Sequence, residues 1–263
     1  MRKLIYRVFL SFAFAITAHL SLAQDTIHPN IPIQHRLWQE ANSAYTATNY
    51  NEAIDLYHEI LSLGMESYKL YYNLGNAYFK ENNIAMAIVN YKRAQRLAPS
   101  NSDIAHNLAI ADGLTVNRIE ALPEFILNKL FKQVRGVMSS NNWAILSIAF
   151  FALMLMLVMF YLLSNTPFKR KVGFTGAVFA LLFFVVSVIF SSQLRTLNVY
   201  STEAVVLSSA EAVKSSPNQT GKDMFIINEG SVVHVLDKLG DWSEIVIASG
   251  NKGWIRSSAI EVI

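Results

Sequence analysis

The strongest pattern along the chain is a set of small and aromatic positions that recurs every 34 residues. Its clearest copy comprises Leu74, Gly75, Tyr78, Ala87, Tyr91, Ala94 and Pro99. An earlier copy falls on Ala41, Ala53, Tyr57 and Ile60. In each copy the small residues allow two helices to approach closely, and the aromatic residues fill the space between successive pairs. The pattern therefore predicts consecutive antiparallel helix pairs, the second of which ends at Pro99.

A further first-helix is predicted by Leu108 and Ala109, which lie 34 residues after Leu74 and Gly75. A second helix is not recognisable after this one, so we interpret it as the terminal helix that caps the array. The sequence thus predicts an α-helical solenoid over residues 34–115, with about two repeats and a capping helix.

This spacing resembles the tetratricopeptide (TPR) repeat, which implies a concave groove that binds a segment of another protein. The positions that face the groove in such repeats are Trp38, Asn42, Tyr45, Lys69, Tyr72, Asn73, Asn76, Phe79, Lys80 and Asn107. The asparagines recur at the repeat distance, so their amides are candidates to hydrogen-bond a peptide backbone while the aromatic residues hold its side chains. The alternative is that these residues belong to solvated helix faces or pack between helices. The full basic set of carboxylate-clamp TPRs is missing.

An amphipathic helix is predicted over residues 124–138. Its apolar arc contains Ile126, Leu127, Leu130, Phe131, Val134, Val137 and Met138, and its polar arc contains Asn128, Lys129, Lys132, Gln133 and Arg135. Because a long apolar run follows, this helix is interpreted as lying on a membrane surface. The alternative is packing against the repeat domain.

Two almost uncharged stretches, residues 143–163 and 172–192, each supply about 20 residues and are predicted to be transmembrane helices. The composition agrees, since 52% of the residues are hydrophobic and only 16% are charged. The connecting residues 164–171 contain Lys169, Arg170 and Lys171, which predicts a cytoplasmic loop.

Residues 1–23 have the basic, apolar and small-residue segments of a secretory signal peptide, with cleavage expected after Ala23. An uncleaved anchor helix is the alternative. With a cytoplasmic loop, this start predicts a protein of the inner (cytoplasmic) membrane with two spans and both soluble domains in the periplasm.

Short β-rich stretches separated by turn signals occupy residues 197–263, with five strands predicted near 204–207, 224–227, 231–236, 243–247 and 253–256. They predict a small all-β barrel that resembles bacterial SH3-type domains. Trp242 and Trp254 are either an aromatic patch for a peptide or a cell-wall glycopeptide, or residues of core and strand packing. The segment from Ser208 to Thr220 is the expected variable rim.

Catalytic, cofactor and metal sites are not predicted. The six histidines are dispersed, and His58 and His106 are interpreted as solvated or packing residues, with metal ligation as the alternative. Cysteine is absent, which excludes thiolate chemistry. A net charge of +3 with scattered basic residues argues against nucleic acid as a partner.

A multidomain membrane protein with this order of segments resembles the BatE proteins of the Bacteroides aerotolerance (Bat) operon. The resemblance implies a non-enzymatic envelope component linked to stress tolerance, encoded with MoxR-type ATPases and von Willebrand factor A-domain membrane proteins. The leading hypothesis is an envelope scaffold that binds membrane proteins through its repeats and contacts the lipid bilayer. The alternatives are a tether or sensor that binds peptidoglycan through the SH3-like domain, and a periplasmic enzyme with an unrecognised site.

Overall fold

The structure is a computed structural model that describes residues 31–115, 125–199 and 201–263. The predicted signal peptide, residues 1–23, lies outside the described residues, as does residue 124 at the start of the predicted amphipathic helix. The chain divides into two units, of which one contains Leu146–Val186 and the other contains Leu37–Ile145 and Ser187–Ile263.

Five helices form the repeat region: α1 (Ile31–Thr46), α2 (Tyr50–Ser62), α3 (Tyr68–Lys80), α4 (Ile84–Leu97) and α5 (Ser102–Gly113). Side chains cap three of them, because Ser67, Asn83 and Asn101 each accept a hydrogen bond from a backbone N–H in the first turn. The two turns inside the repeats reverse at residues with positive φ, Thr48 at 63° and Asn82 at 60°. These two residues are one repeat apart, so the backbone follows the same period as the side chains.

Close helix packing in the second repeat depends on Gly75. A β-carbon at this position would lie 2.7 Å from both Cδ1 and Cε1 of Tyr91. Gly75 thus lies at the contact between α3 and α4, and the residue that it faces is Tyr91, one helical turn after Ala87, the small residue of the repeat pattern on α4. The Tyr91 ring fills the space that the glycine leaves.

Three more helices follow: α6 (Ile126–Arg135), α7 (Ser140–Leu163) and α8 (Pro167–Val199). Among the described residues, two helices are long and apolar enough to cross a membrane, namely the 24 residues of Ser140–Leu163 and the 31 residues of Pro167–Leu197. The predicted loop 164–171 is shorter than expected, because α8 already begins at Pro167. Proline is favoured in a first helical turn. The Arg170 guanidinium lies 4.9 Å from the centre of the Tyr161 ring, a contact that favours the helical position of Arg170.

The C-terminal region is a seven-stranded antiparallel sheet, built from β1 (Glu203–Val206), β2 (Ala210–Lys214), β3 (Asp223–Asn228), β4 (Val232–Leu239), β5 (Trp242–Ile247), β6 (Lys252–Arg256) and β7 (Ile260–Val262). The strand order is β3-β2-β6-β5-β4-β1-β7, which leaves β3 and β7 at the two edges. The sheet is therefore open, whereas the sequence predicted a closed barrel of five strands. The additional strands are β2 and β7, and β2 lies inside the segment expected to be a variable rim.

Candidate functional site: a groove on the helical repeats

A repeated hydrogen-bond arrangement, here called an amide triad, joins three helices of the solenoid. In the first triad, Asn42 Oδ1 on α1 accepts hydrogen bonds from the Tyr57 hydroxyl on α2, at 2.7 Å, and from Asn73 Nδ2 on α3, at 3.1 Å. The second triad repeats this arrangement with Asn76 as acceptor, the Tyr91 hydroxyl at 2.8 Å and Asn107 Nδ2 at 2.9 Å. All three members of the second triad lie one repeat after those of the first. The period thus specifies a polar link between helices as well as the apolar core.

The tyrosine hydroxyls of the triads are held in their protonated form. Burial raises the pKa of Tyr57 to about 12, and burial also raises the pKa of Tyr91. Each hydroxyl is thus a hydrogen-bond donor at physiological pH and remains one into the alkaline range, which fixes the orientation of the asparagine amide that accepts from it.

Each triad leaves part of its asparagine amides unused. Asn76 takes part in hydrogen bonds only through its Oδ1 atom. Asn107 takes part only through its Nδ2 atom, which donates to Asn76 Oδ1 and, at 3.0 Å, to the Tyr72 hydroxyl. Asn76 Nδ2 and Asn107 Oδ1 consequently have no partner within the part of the chain that the structure describes. One donor and one acceptor are left, the two groups that a peptide unit of an extended chain requires.

These amides line a groove of about 340 Å³. Its walls are formed by Tyr45, Tyr72, Asn76, Phe79, Lys80, Tyr91, Asn107 and Ile110. Six of the ten predicted groove residues are thus brought together, on α1, α3 and α5. Sequence reasoning missed Tyr91 and Ile110. Ile110 lies 34 residues after Asn76, so the repeat period contained the signal that identifies it.

The other four predicted residues do not line this groove. Asn42 and Asn73 form the first triad, and Trp38 contacts the ring of Tyr57 edge-on, with ring centres 6.0 Å apart. Lys69 is exposed on α3. The groove therefore lies toward the second helix pair and α5.

The sheet contacts α4 through charged residues. Lys92 Nζ lies 3.0 Å from Glu203 Oε1, and Arg93 donates to Glu261 Oε1 at 2.6 Å and to the Val262 carbonyl oxygen at 2.7 Å. Arg96 donates to the Ile263 carbonyl oxygen and to the Ser201 hydroxyl. Apolar contact accompanies these bonds, since Val205 and Ile263 share a buried cluster with α4 residues such as Ile88. Helix α4 thus carries Tyr91 into the groove and holds the sheet through its basic residues.

Trp242 and Trp254 lie on the outer face of the sheet. Along β5 the buried residues are Ser243, Ile245 and Ile247, so Trp242 points to the opposite face. Trp254 pairs with Glu244 and also alternates with buried neighbours. Both rings are half-buried, and neither belongs to the buried core of the sheet. The two rings thus lie outside the buried core and pair with residues of neighbouring strands, so packing on the strands and a ligand-binding patch both stay predictions.

The two histidines interpreted above, His58 and His106, have different surroundings. His58 Nε2 lies 2.8 Å from the Tyr78 hydroxyl, and burial lowers the pKa of His58. His106 is exposed on α5. Within the described residues, groups of three or more acidic or histidine side chains that would hold a metal ion are absent.

The family model of the tetratricopeptide repeat matches residues 68–101, which comprise α3 and α4. No curated protein matches the chain. The second helix pair is thus a TPR repeat, and TPR repeats are modules of protein–protein interaction.

Proposed function

We propose that this protein is a membrane-anchored scaffold that binds an extended segment of a partner protein in the groove of its TPR repeats. The observation that carries the proposal is the unused donor and acceptor of the second amide triad, Asn76 Nδ2 and Asn107 Oδ1, in a groove with aromatic walls. These atoms suit a peptide backbone, because an extended chain presents a carbonyl oxygen and an N–H in the same way whatever its sequence.

Selectivity comes from the side chains around the amides. Tyr45, Tyr72 and Phe79 offer apolar and aromatic surface to side chains of the bound segment, and Lys80 favours an acidic residue at the adjacent position. Tyr91 forms the floor, where its hydroxyl is already bonded to Asn76. The groove therefore binds a segment with a bulky apolar residue next to an acidic one.

Membrane anchoring is supported by the surfaces of α7 and α8. Apolar side chains along both helices are exposed, including Ile148 at 66% and Leu182 at 58%. Exposed apolar surface along helices of this length is unfavourable in water and favourable in lipid. The hairpin is proposed to place both soluble regions in the periplasm, with the connection between α7 and α8 in the cytoplasm.

The order of segments supports a narrower assignment. Repeats, an apolar hairpin and a C-terminal β-region in this order resemble BatE proteins, so the partners proposed for the groove are von Willebrand factor A-domain membrane proteins of a Bat-type stress-tolerance complex.

The test replaces Ile110, a groove residue that is 44% exposed, with arginine. Ile33→Arg is the matched control, because Ile33 is also 44% exposed but lies outside the groove on α1. After crosslinking in native membranes, Ile110→Arg is expected to lower recovery of the partner at least about tenfold, the equivalent of ~1.4 kcal/mol. Equal recovery with both variants would contradict binding in the groove.

A second candidate function is a cell-wall tether, and it is favoured by the outer face of the sheet. Trp242 and Trp254 are partly exposed there, and Arg256 lies 6.0 Å from the Trp242 ring centre. Aromatic rings with adjacent charges are a surface on which glycopeptide can stack. Sedimentation with purified sacculi tests this function. Trp254→Ala is expected to abolish co-sedimentation, whereas Ile226→Ala, an exposed apolar position on the edge strand β3, is the control.

A further inference from the structure

Helix α6 exposes an apolar stripe. Ile126 is 80% exposed, Leu130 is 54% exposed and Val134 is 45% exposed. These residues are four positions apart, so they lie on one face of the helix. No residue of α6 is buried. Apolar side chains at this exposure need a partner that is itself apolar on one side.

The C-terminal half of α6 is fixed against the neighbouring ends of α7 and α8. Phe131 contacts Phe190 edge-on, with ring centres 5.0 Å apart, and Trp143 contacts the same ring at 5.0 Å. Trp143 Nε1 donates to the Arg135 carbonyl oxygen at 3.0 Å, and Arg135 donates to Gln193 Oε1 at 3.1 Å. These contacts lie along one edge of α6 and leave the stripe of Ile126, Leu130 and Val134 open.

The charge of this region selects the partner. Between Phe125 and Thr202 the sequence contains no aspartate or glutamate. On α6 itself, Lys129, Lys132 and Arg135 are the charged residues, and all three are basic. An apolar face whose charged neighbours on the same helix are all cations matches the boundary between acyl chains and anionic headgroups.

We propose that α6 lies in the interface of an anionic bilayer, with its apolar stripe against the acyl chains and its lysines at the headgroups. The inference rests on the proposed membrane anchoring, because the four residues after Arg135 connect α6 directly to α7. Helix α6 is then a second membrane contact, adjacent in the chain to the hairpin, and its affinity depends on anionic lipid.

The absence of cysteine permits a direct test on the full chain. Single-cysteine variants Leu130→Cys and Asn128→Cys, on opposite faces of α6, and Leu153→Cys on α7 receive an environment-sensitive fluorophore. Each is reconstituted into vesicles of phosphatidylcholine alone or of an equimolar mixture with phosphatidylglycerol. Lipids that carry a nitroxide at a shallow or a deep position then act as quenchers.

In the anionic vesicles, the shallow quencher is expected to remove roughly half of the Leu130 fluorescence and almost none of the Asn128 fluorescence, because an interfacial helix is buried by about 5–10 Å. In vesicles of phosphatidylcholine alone, quenching at Leu130 should be weaker than in the anionic vesicles. The double variant Lys129→Gln and Lys132→Gln should show the same quenching at Leu130 in both kinds of vesicle. Equal quenching at Leu130 and Asn128, or no dependence on anionic lipid, would overturn the proposal. The deep quencher separates a failure of the α6 proposal from a failure of the membrane anchoring. If only the α6 proposal fails, the fluorophore at Leu153 is still quenched by the deep nitroxide. If the anchoring fails, this quenching at Leu153 is lost.

Discussion

At Tyr57 and Tyr91 the solenoid uses one residue type for two purposes. Each ring is almost completely buried between helices, and each hydroxyl donates to an asparagine of the same repeat. Asn76 is consequently both a part of the internal framework and a part of the groove. A change at this asparagine alters stability together with binding, so substitutions at the exposed rim separate the two effects better.

Gly75 provides a prediction for the close contact between α3 and α4. Gly75→Ala places a methyl group 2.7 Å from two atoms of the Tyr91 ring, so the free energy of unfolding should fall by about 1–3 kcal/mol. Gly113→Ala is the control, because a β-carbon there meets no atom within 4 Å. Urea unfolding and the amide exchange of α3 measure the stability of both variants. An equal loss of stability in Gly75→Ala and Gly113→Ala would contradict the contact with Tyr91.

The buried tyrosines predict a loss of stability at alkaline pH. Because the folded pKa of Tyr57 is raised from 10.0 to about 12, its stabilising contribution is fully present below pH 10 and is lost as pH rises toward 12. The urea midpoint should therefore fall over this range, and Tyr57→Phe should reduce the fall. Tyr50→Phe is the control, since Tyr50 takes part in neither amide triad. If the urea midpoint of Tyr57→Phe falls with pH as steeply as that of the native protein, the Tyr57 hydroxyl is not the cause of the alkaline loss of stability.

Among the elements, α4 has the most varied surroundings. It packs on α3 through Tyr91, contributes that ring to the groove, and holds β1 and β7 through its basic residues. The sheet and the solenoid are therefore connected by a mixed interface of ion pairs and apolar contacts, with the last residues of the described chain at its centre.

This interface predicts joint unfolding of the sheet and the solenoid. Arg93→Ala removes two hydrogen bonds to β7, which are partly exposed and are expected to contribute about 1–2 kcal/mol in total. Scanning calorimetry of the detergent-solubilised chain should show one unfolding transition for the native protein. In Arg93→Ala the sheet and the solenoid should unfold in two separate transitions, the first at a lower temperature than that of the native protein. Arg256→Ala, on the outer face of the sheet, should preserve the single transition. Two transitions already present in the native protein would contradict the coupling.

The elements differ in how far the sequence predicts them. The 34-residue period predicts the helices of the solenoid, because the same small and aromatic positions must recur wherever helix pairs stack. Long apolar runs likewise predict α7 and α8. Strand β2 was missed because the serines around Ala210–Lys214 indicate a loop, and Val213 is its one fully buried residue. The start of α8 was missed because the basic run indicates a loop, while the contact of Arg170 with Tyr161 is tertiary.

The groove was predicted in part for a similar reason. Positions on first helices follow from repeat geometry, which explains why Tyr72, Asn76 and Phe79 were expected on one face and line one groove. The hydrogen bond from Tyr91 to Asn76 joins residues 15 positions apart on different helices, and periodicity alone does not indicate which polar atoms meet. The sequence thus predicts which helix faces the groove, whereas the arrangement of its donors and acceptors requires the structure.

For the whole molecule, the proposed topology is testable by labelling. Ser100 and Ser215 are exposed in the repeat and sheet regions, and Asn165 lies between α7 and α8. In intact spheroplasts, cysteines at Ser100 and Ser215 should react with a membrane-impermeant maleimide. A cysteine at Asn165 should react only after permeabilisation. The reverse pattern would place both soluble regions in the cytoplasm.

Because α4 borders the groove and also holds the sheet, binding energy gained at one place is measurable at the other. A segment that occupies the groove at 100 times its dissociation constant adds about 2.7 kcal/mol to the folded state by mass action. If the sheet and the solenoid unfold together, the backbone amides of β1 and β7 will exchange more slowly when the groove is filled, although the ligand does not touch them. The sheet is thereby a remote reporter for finding the occupant of the groove.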